Sequence, residues 1–67
     1  MITNDPANNA FYEERFIAIR DAAKAGDINA AAGLTVTAVN ESEFSGPDAA
    51  DSTYRALNAA AERIRNR

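Results

Sequence analysis

The chain of 67 residues has no cysteine, no histidine and no tryptophan, only three glycines and two prolines, and no apolar run long enough to cross a bilayer. Each absence closes an option. Without cysteine there is no disulfide, and without cysteine and histidine a structural zinc site has neither thiolate nor imidazole ligands; carboxylates alone suit only hard cations such as calcium or magnesium. No calcium-loop spacing of acidic residues occurs, so no metal or cofactor is expected.

Catalysis is disfavoured on the same grounds. General acid–base chemistry at neutral pH most often uses histidine, and Ser42, Ser45, Ser52 and Lys24 have no imidazole to activate them. Glu13 with Glu14, and Glu41 with Glu43, occupy adjacent or alternate positions, which diverge on a helix instead of sharing a site. The phosphate-loop, dinucleotide-binding and metalloprotease motifs are missing as well. The expectation is a protein that is not an enzyme.

Residues 1–12 carry no basic segment followed by an apolar core, so no secretory signal is read, and a cytoplasmic setting is expected. A chain that starts at methionine and lacks targeting or linker sequence reads as a small open reading frame of accessory or phage type. A single small helical domain over residues 1–67 is expected, and a domain this size buries only about 60% of the surface its unfolded chain exposes.

What is present is alanine: sixteen of the apolar residues. Such a composition lets helices approach closely but offers few large side chains to bury. Besides Met1 there are fourteen, several of them near turns or chain ends.

The net charge of −3 is unevenly spread. Residues 25–54 hold Asp27, Glu41, Glu43, Asp48 and Asp51 with no Lys or Arg, whereas residues 55–67 hold Arg55, Arg63, Arg65 and Arg67 against Glu62 alone. An acidic body with a basic tail favours head-to-tail pairing or a protein partner over nucleic acid, or it simply complements helix dipoles.

Three helices are predicted, near 6–25, 28–40 and 47–66, forming a small all-α bundle. Asp5 caps the first, with Pro6 at the first helical position, and Gly26 ends it in a left-handed conformation. Tyr12, Phe16, Ile19 and Ala23 make one ridge, and Phe11, Ala18, Ala22 and Ala25 a second, which requires two neighbours. Ile17 stands alone on the otherwise polar side.

Asp27 caps the second helix, on which Ile28, Ala31, Ala32, Leu34, Thr35, Val36, Ala38 and Val39 fall in one broad arc. The rival reading is a strand at 34–39, where β-branched residues cluster, but no second strand is available to pair with it inside the chain. A helix short or broken at Gly33 is a second alternative to the continuous helix over 28–40. Ser45 and Asp48 bracket a capping box for the third helix, with Phe44 and Ala49 as its hydrophobic staple. Ala50, Tyr54, Leu57, Ala61 and Ile64 then form a heptad-like seam, flanked by Ala49, Ala56 and Ala60.

One segment, residues 26–42, has a motif-like pattern. Ile28, Ala32, Gly33, Leu34, Thr35 and Val39 occupy the places of a short helix, a glycine turn, a threonine cap and an inward apolar residue. In this it resembles the helix-turn-helix of excisionase-like and MerR-like DNA-binding proteins, over about a fifth of the chain. The resemblance implies a DNA-binding regulator, with Asn40 able to read adenine. The segment departs from the family pattern at Asn29, where a small apolar residue is usual, and its recognition helix has no Lys or Arg, although phosphate contacts supply most DNA affinity.

The expectation carried forward is therefore a non-enzymatic protein–protein interaction module, an adaptor, inhibitor or small structural subunit that self-associates or docks on a larger protein. Two ridges on the first helix and two faces on the last exceed what one short middle element covers. Phe11, Ile17, Ala18 and Ala22 with Ala56 and Ala60 are the residues expected at the intermolecular surface.

Overall fold

A computed structural model describes residues 6–67, with side chains from Asn8 onward. It contains α1 (Pro6–Lys24), α2 (Ile28–Glu41) and α3 (Ala49–Arg65). The chain is an all-α bundle of three helices. Asp5, expected to cap α1, lies outside the described residues.

The α1–α2 connection is fixed by its backbone chemistry. Gly26 takes φ +81°, its amide donates to the Ala23 carbonyl at 3.0 Å, and the Asp27 amide donates to the Ala22 carbonyl at 3.0 Å. This pair of bonds is the Schellman closure, which satisfies carbonyls that a helix end leaves free. Asp27 then starts α2 with no further spacer. Its carboxylate accepts from the Ala30 amide at 3.0 Å, and its carbonyl accepts from the Ala31 amide at 3.0 Å. One residue thus closes one helix and opens the next.

α2 passes through Gly33 without a break. The helix reading over 28–40 holds, the alternatives of an interruption at Gly33 and a strand at 34–39 do not, and without an interruption there is no turn of the kind that a helix-turn-helix over 26–42 requires. The helix also extends to Glu41, which stands against the C-terminal dipole because Arg15 of α1 pairs with it at 3.0 Å. Ser42 leaves the helix in extended conformation, its hydroxyl donating to the Val39 carbonyl at 2.9 Å.

The loop into α3 differs from the expected capping box. Gly46 adopts φ +84°, the Ala49 amide donates to the Gly46 carbonyl at 3.2 Å, and α3 begins at Ala49 with Asp48 as N-cap making no side-chain cap bond. The left-handed residue turns the chain, so residues 46–49 form a tight turn and Ser45 is not the cap.

α1 packs against both α2 and α3, which touch each other over less of their length. The molecule is thin, 32 × 31 × 15 Å, and 15 Å between Cα atoms is about the depth of two helices at an interaxial distance of about 8–10 Å. Its core is correspondingly small: Tyr12, Ala38, Ala56, Leu57 and Ala60 are buried, with Phe11, Phe16, Ile19 and Phe44 packed against them.

α3 presents a different face from the one its large residues suggest. Tyr54 is 48% exposed, while Thr53 is fully buried. The inward stripe is Thr53, Ala56, Leu57 and Ala60, rotated by about 70° from the expected seam at 100° per residue. Burial of Thr53 is made acceptable by its hydroxyl, which lies 2.7 Å from the Ala49 carbonyl and 2.9 Å from the Ser42 hydroxyl.

Candidate interaction surface

The six residues expected at an intermolecular surface separate into two groups. Ala56 and Ala60 are 1% and 0% exposed and sit within the bundle's own core. Their assignment to an outer face is corrected. Alanine at the closest approach of α3 to its neighbours is what lets the helices come together, so small side chains here serve the interior. Phe11 is also largely committed: it meets Tyr12 edge-on at 5.0 Å, and the Arg15 guanidinium lies 5.0 Å over its ring. Ile17, Ala18 and Ala22 remain half-buried on α1. The structure therefore does not bring the six together into one patch.

Two large apolar side chains on α2 are left in solvent instead: Ile28 at 67% and Val36 at 60% exposed. Ala32 lies between them at four-residue spacing and is exposed too. Beside this ridge runs a second exposed one, Asn29, Gly33 and Thr37, followed by Asn40. The buried and half-buried positions of α2 are Ala30, Ala31, Leu34, Thr35, Ala38 and Val39. The broad apolar arc read from the sequence is thus only partly covered by the rest of the chain.

That exposed face has an uncommon electrostatic character. From Ile28 to Asn40 there is no ionisable residue, and the nearest charges are Asp27 before the helix and Glu41 at its last position. Surface helices normally place charged residues on the solvent side. A signal for this was present in the sequence. An apolar arc spanning half a helix circumference is wider than a single neighbouring helix covers, and the opposite side holds Asn29, Gly33, Thr37 and Asn40 with no charge before Glu41.

An open groove of 390 Å³ lies between α1 and α3, lined by Phe16, Arg20, Ala61, Ile64 and Arg65. Both guanidinium groups are already engaged, Arg20 by Asp21 at 3.4 Å and Arg65 by Glu62.

Two further ion pairs join α1 to the C-terminal end of the chain. Arg63 Nε donates to Glu13 at 2.8 Å, and Arg67 also reaches that carboxylate, so the Arg63 hydrogen bond, aided by Arg67, holds the Glu13 carboxyl below the usual carboxylate range. Tyr12 donates its hydroxyl proton to Glu43 at 3.2 Å. Burial, together with that carboxylate, pushes its pKa above the ordinary phenolic value. Among the described residues no group of three His, Cys, Asp or Glu side chains converges as a metal site, and no helix is long and apolar enough to cross a membrane.

No protein-family model, curated protein or solved structure matches this chain.

Proposed function

We propose that the chain is a non-enzymatic protein–protein interaction module, one that self-associates or docks on a larger protein as an adaptor, inhibitor or small subunit in the cytoplasm. The observation that carries this reading is the exposed, uncharged face of α2, with Ile28 and Val36 more than half in solvent while five apolar residues are buried in the core among the described residues. Exposed apolar side chains at helical spacing are the usual form of a helix-docking surface. The absence of charge on that face removes the desolvation penalty that a partner would otherwise have to offset.

A photo-crosslinking residue at position 36, compared with one at the exposed position 58 on α3, tests the reading in cells expressing the protein. Adducts of defined mass formed from position 36 and not from position 58 are expected. Failure to form any adduct from position 36, in cells or with the concentrated purified protein, would falsify the module reading.

A further inference from the structure

Resting on that reading, the geometry points to a second copy of this chain as the occupant of the α2 face, docked as an antiparallel pair with the two-fold axis near Ala32. Three observations converge on it.

The first is register. The exposed ridge Ile28, Ala32, Val36 is symmetric about its own centre, so antiparallel pairing sets Ile28 of one copy against Val36 of the second copy, twice, with Ala32 meeting Ala32. An isologous contact requires this kind of self-complementarity. Helices pack when the ridge of one enters the groove of the other, and the groove beside this ridge is bounded by Asn29, Gly33 and Thr37.

The second is Gly33. A glycine in a helix interior weakens the helix, because the unfolded chain has more freedom to lose. Nothing among the described residues requires one here: a Cβ added at Gly33 meets no atom of another element within 4 Å, and its backbone is ordinary helix. The missing side chain does create depth in the exposed groove at the centre of the pairing, where Ala32 of the second copy would enter.

The third is charge. Asp27 stands at one end of α2 and Glu41 at the other, and Lys24 closes α1 just before Asp27. Lys24 forms no ion pair among the described residues, and Glu41, although paired with Arg15, keeps 50% of its side-chain surface accessible. An antiparallel pair brings the end of each copy that carries both Lys24 and Asp27 toward the Glu41 end of the other, which offers each Glu41 a cation alongside the Asp27 carboxylate, and it sets the two helix dipoles in opposition. A parallel pair would place Asp27 by Asp27, Glu41 by Glu41 and Lys24 by Lys24.

Because the chain has no native cysteine, single-cysteine variants report the arrangement directly. Purified protein followed by light scattering from micromolar to millimolar concentration is expected to rise toward the mass of two chains. Val36→Arg is expected to hold the mass at one chain with an unchanged helical spectrum, since the residue is exposed and its replacement removes nothing from the core. Gly33→Ala is expected to act with opposite signs, raising the Tm of the dilute monomer while weakening the pair. Under oxidation, an equimolar mixture of Ile28→Cys and Val36→Cys should give mainly the mixed disulfide, and Ala32→Cys a homodimer, with Asn58→Cys remaining monomeric.

A wild-type mass of one chain at every concentration overturns the self-pairing, as does retention of the two-chain mass by Val36→Arg. Homotypic disulfides at 28 and 36 exceeding the mixed one overturn the antiparallel register. These results are separable from failure of the broader reading: adducts from position 36 at masses other than two chains refute the second copy while leaving the module, and no adduct at all refutes both.

Discussion

Glu13 on α1 and Arg63 on α3 meet through a 2.8 Å hydrogen-bonded ion pair across fifty residues of chain. Arg63 also donates to the Asn9 carbonyl at 3.5 Å, so one guanidinium ties the start of α1 to the end of α3 at two points. Acid should loosen this tie. Because the folded-state pKa of Glu13 is depressed, its contribution is present above the unfolded carboxylate range and disappears as pH falls through the folded value. Glu13→Gln is expected to lower the Tm at neutral pH, with the difference from wild type shrinking as pH falls through the folded-state value. Thermal melts across pH, on wild type and variant together, measure it. A constant difference at every pH would show that the carboxylate's charge contributes nothing.

Tyr12 gives the opposite limb. Its raised pKa means that the neutral phenol stabilises the folded state fully below the unfolded value, and that stability is lost as pH rises above about 10. Tyr12→Phe keeps the ring stacked near Phe44, whose centroid is 6.2 Å away, but removes the hydroxyl that Glu43 accepts from. The expected cost is about 0.5–1.5 kcal/mol at neutral pH. The alkaline loss of stability should be reduced in the variant, which chemical denaturation at two pH values reads out.

Leu57→Ala is expected to destabilise by about 2–5 kcal/mol, a large share of what a domain of this size holds. Tyr54→Ala, one helical position from the buried Thr53 and 48% exposed, should change stability by about 0.5 kcal/mol or less. Comparable losses at the two sites would place the inward face of α3 on the stripe of large residues and not on Thr53, Ala56, Leu57 and Ala60.

Gly33→Ala should stabilise the dilute monomer by about 0.5–1 kcal/mol, because the added methyl enters open space and the helix regains an alanine. Urea denaturation at low micromolar concentration is the appropriate measurement. A destabilised variant would mean that Gly33 meets a neighbour within the chain.

Helix number and ends were legible because their signals are local. Pro6, Gly26 and Asp27 act through backbone geometry within a few residues, and the predicted spans lie within two residues of Pro6–Lys24, Ile28–Glu41 and Ala49–Arg65. The facing of α3 was not, because side-chain size does not decide burial on this helix. Thr53 is polar yet buried, since its hydroxyl finds acceptors locally, and Ala56 and Ala60 are small yet central, since close helix crossings leave no room for more. At Ser45 the capping-box spacing was real but competed with Gly46, whose left-handed backbone decided the turn. Ala56 and Ala60 belong to the core for the related reason that an alanine ridge on a helix fits a close neighbour inside the bundle as well as one outside it.

Asp27, as the residue shared by the end of α1 and the start of α2, also bears on the order of folding. The α1–α2 hairpin closes through three residues, whereas α3 must be brought back to Asn9 and Glu13 against the entropy of a loop spanning most of the chain. The hairpin is therefore expected to be formed in the transition state and α3 to dock afterwards. In stopped-flow kinetics, Asp27→Ala should act mainly by slowing refolding, and Glu13→Gln mainly by speeding unfolding. The turn that joins the first two helices sets how fast the protein is made, and the clasp at its far end sets how long it lasts.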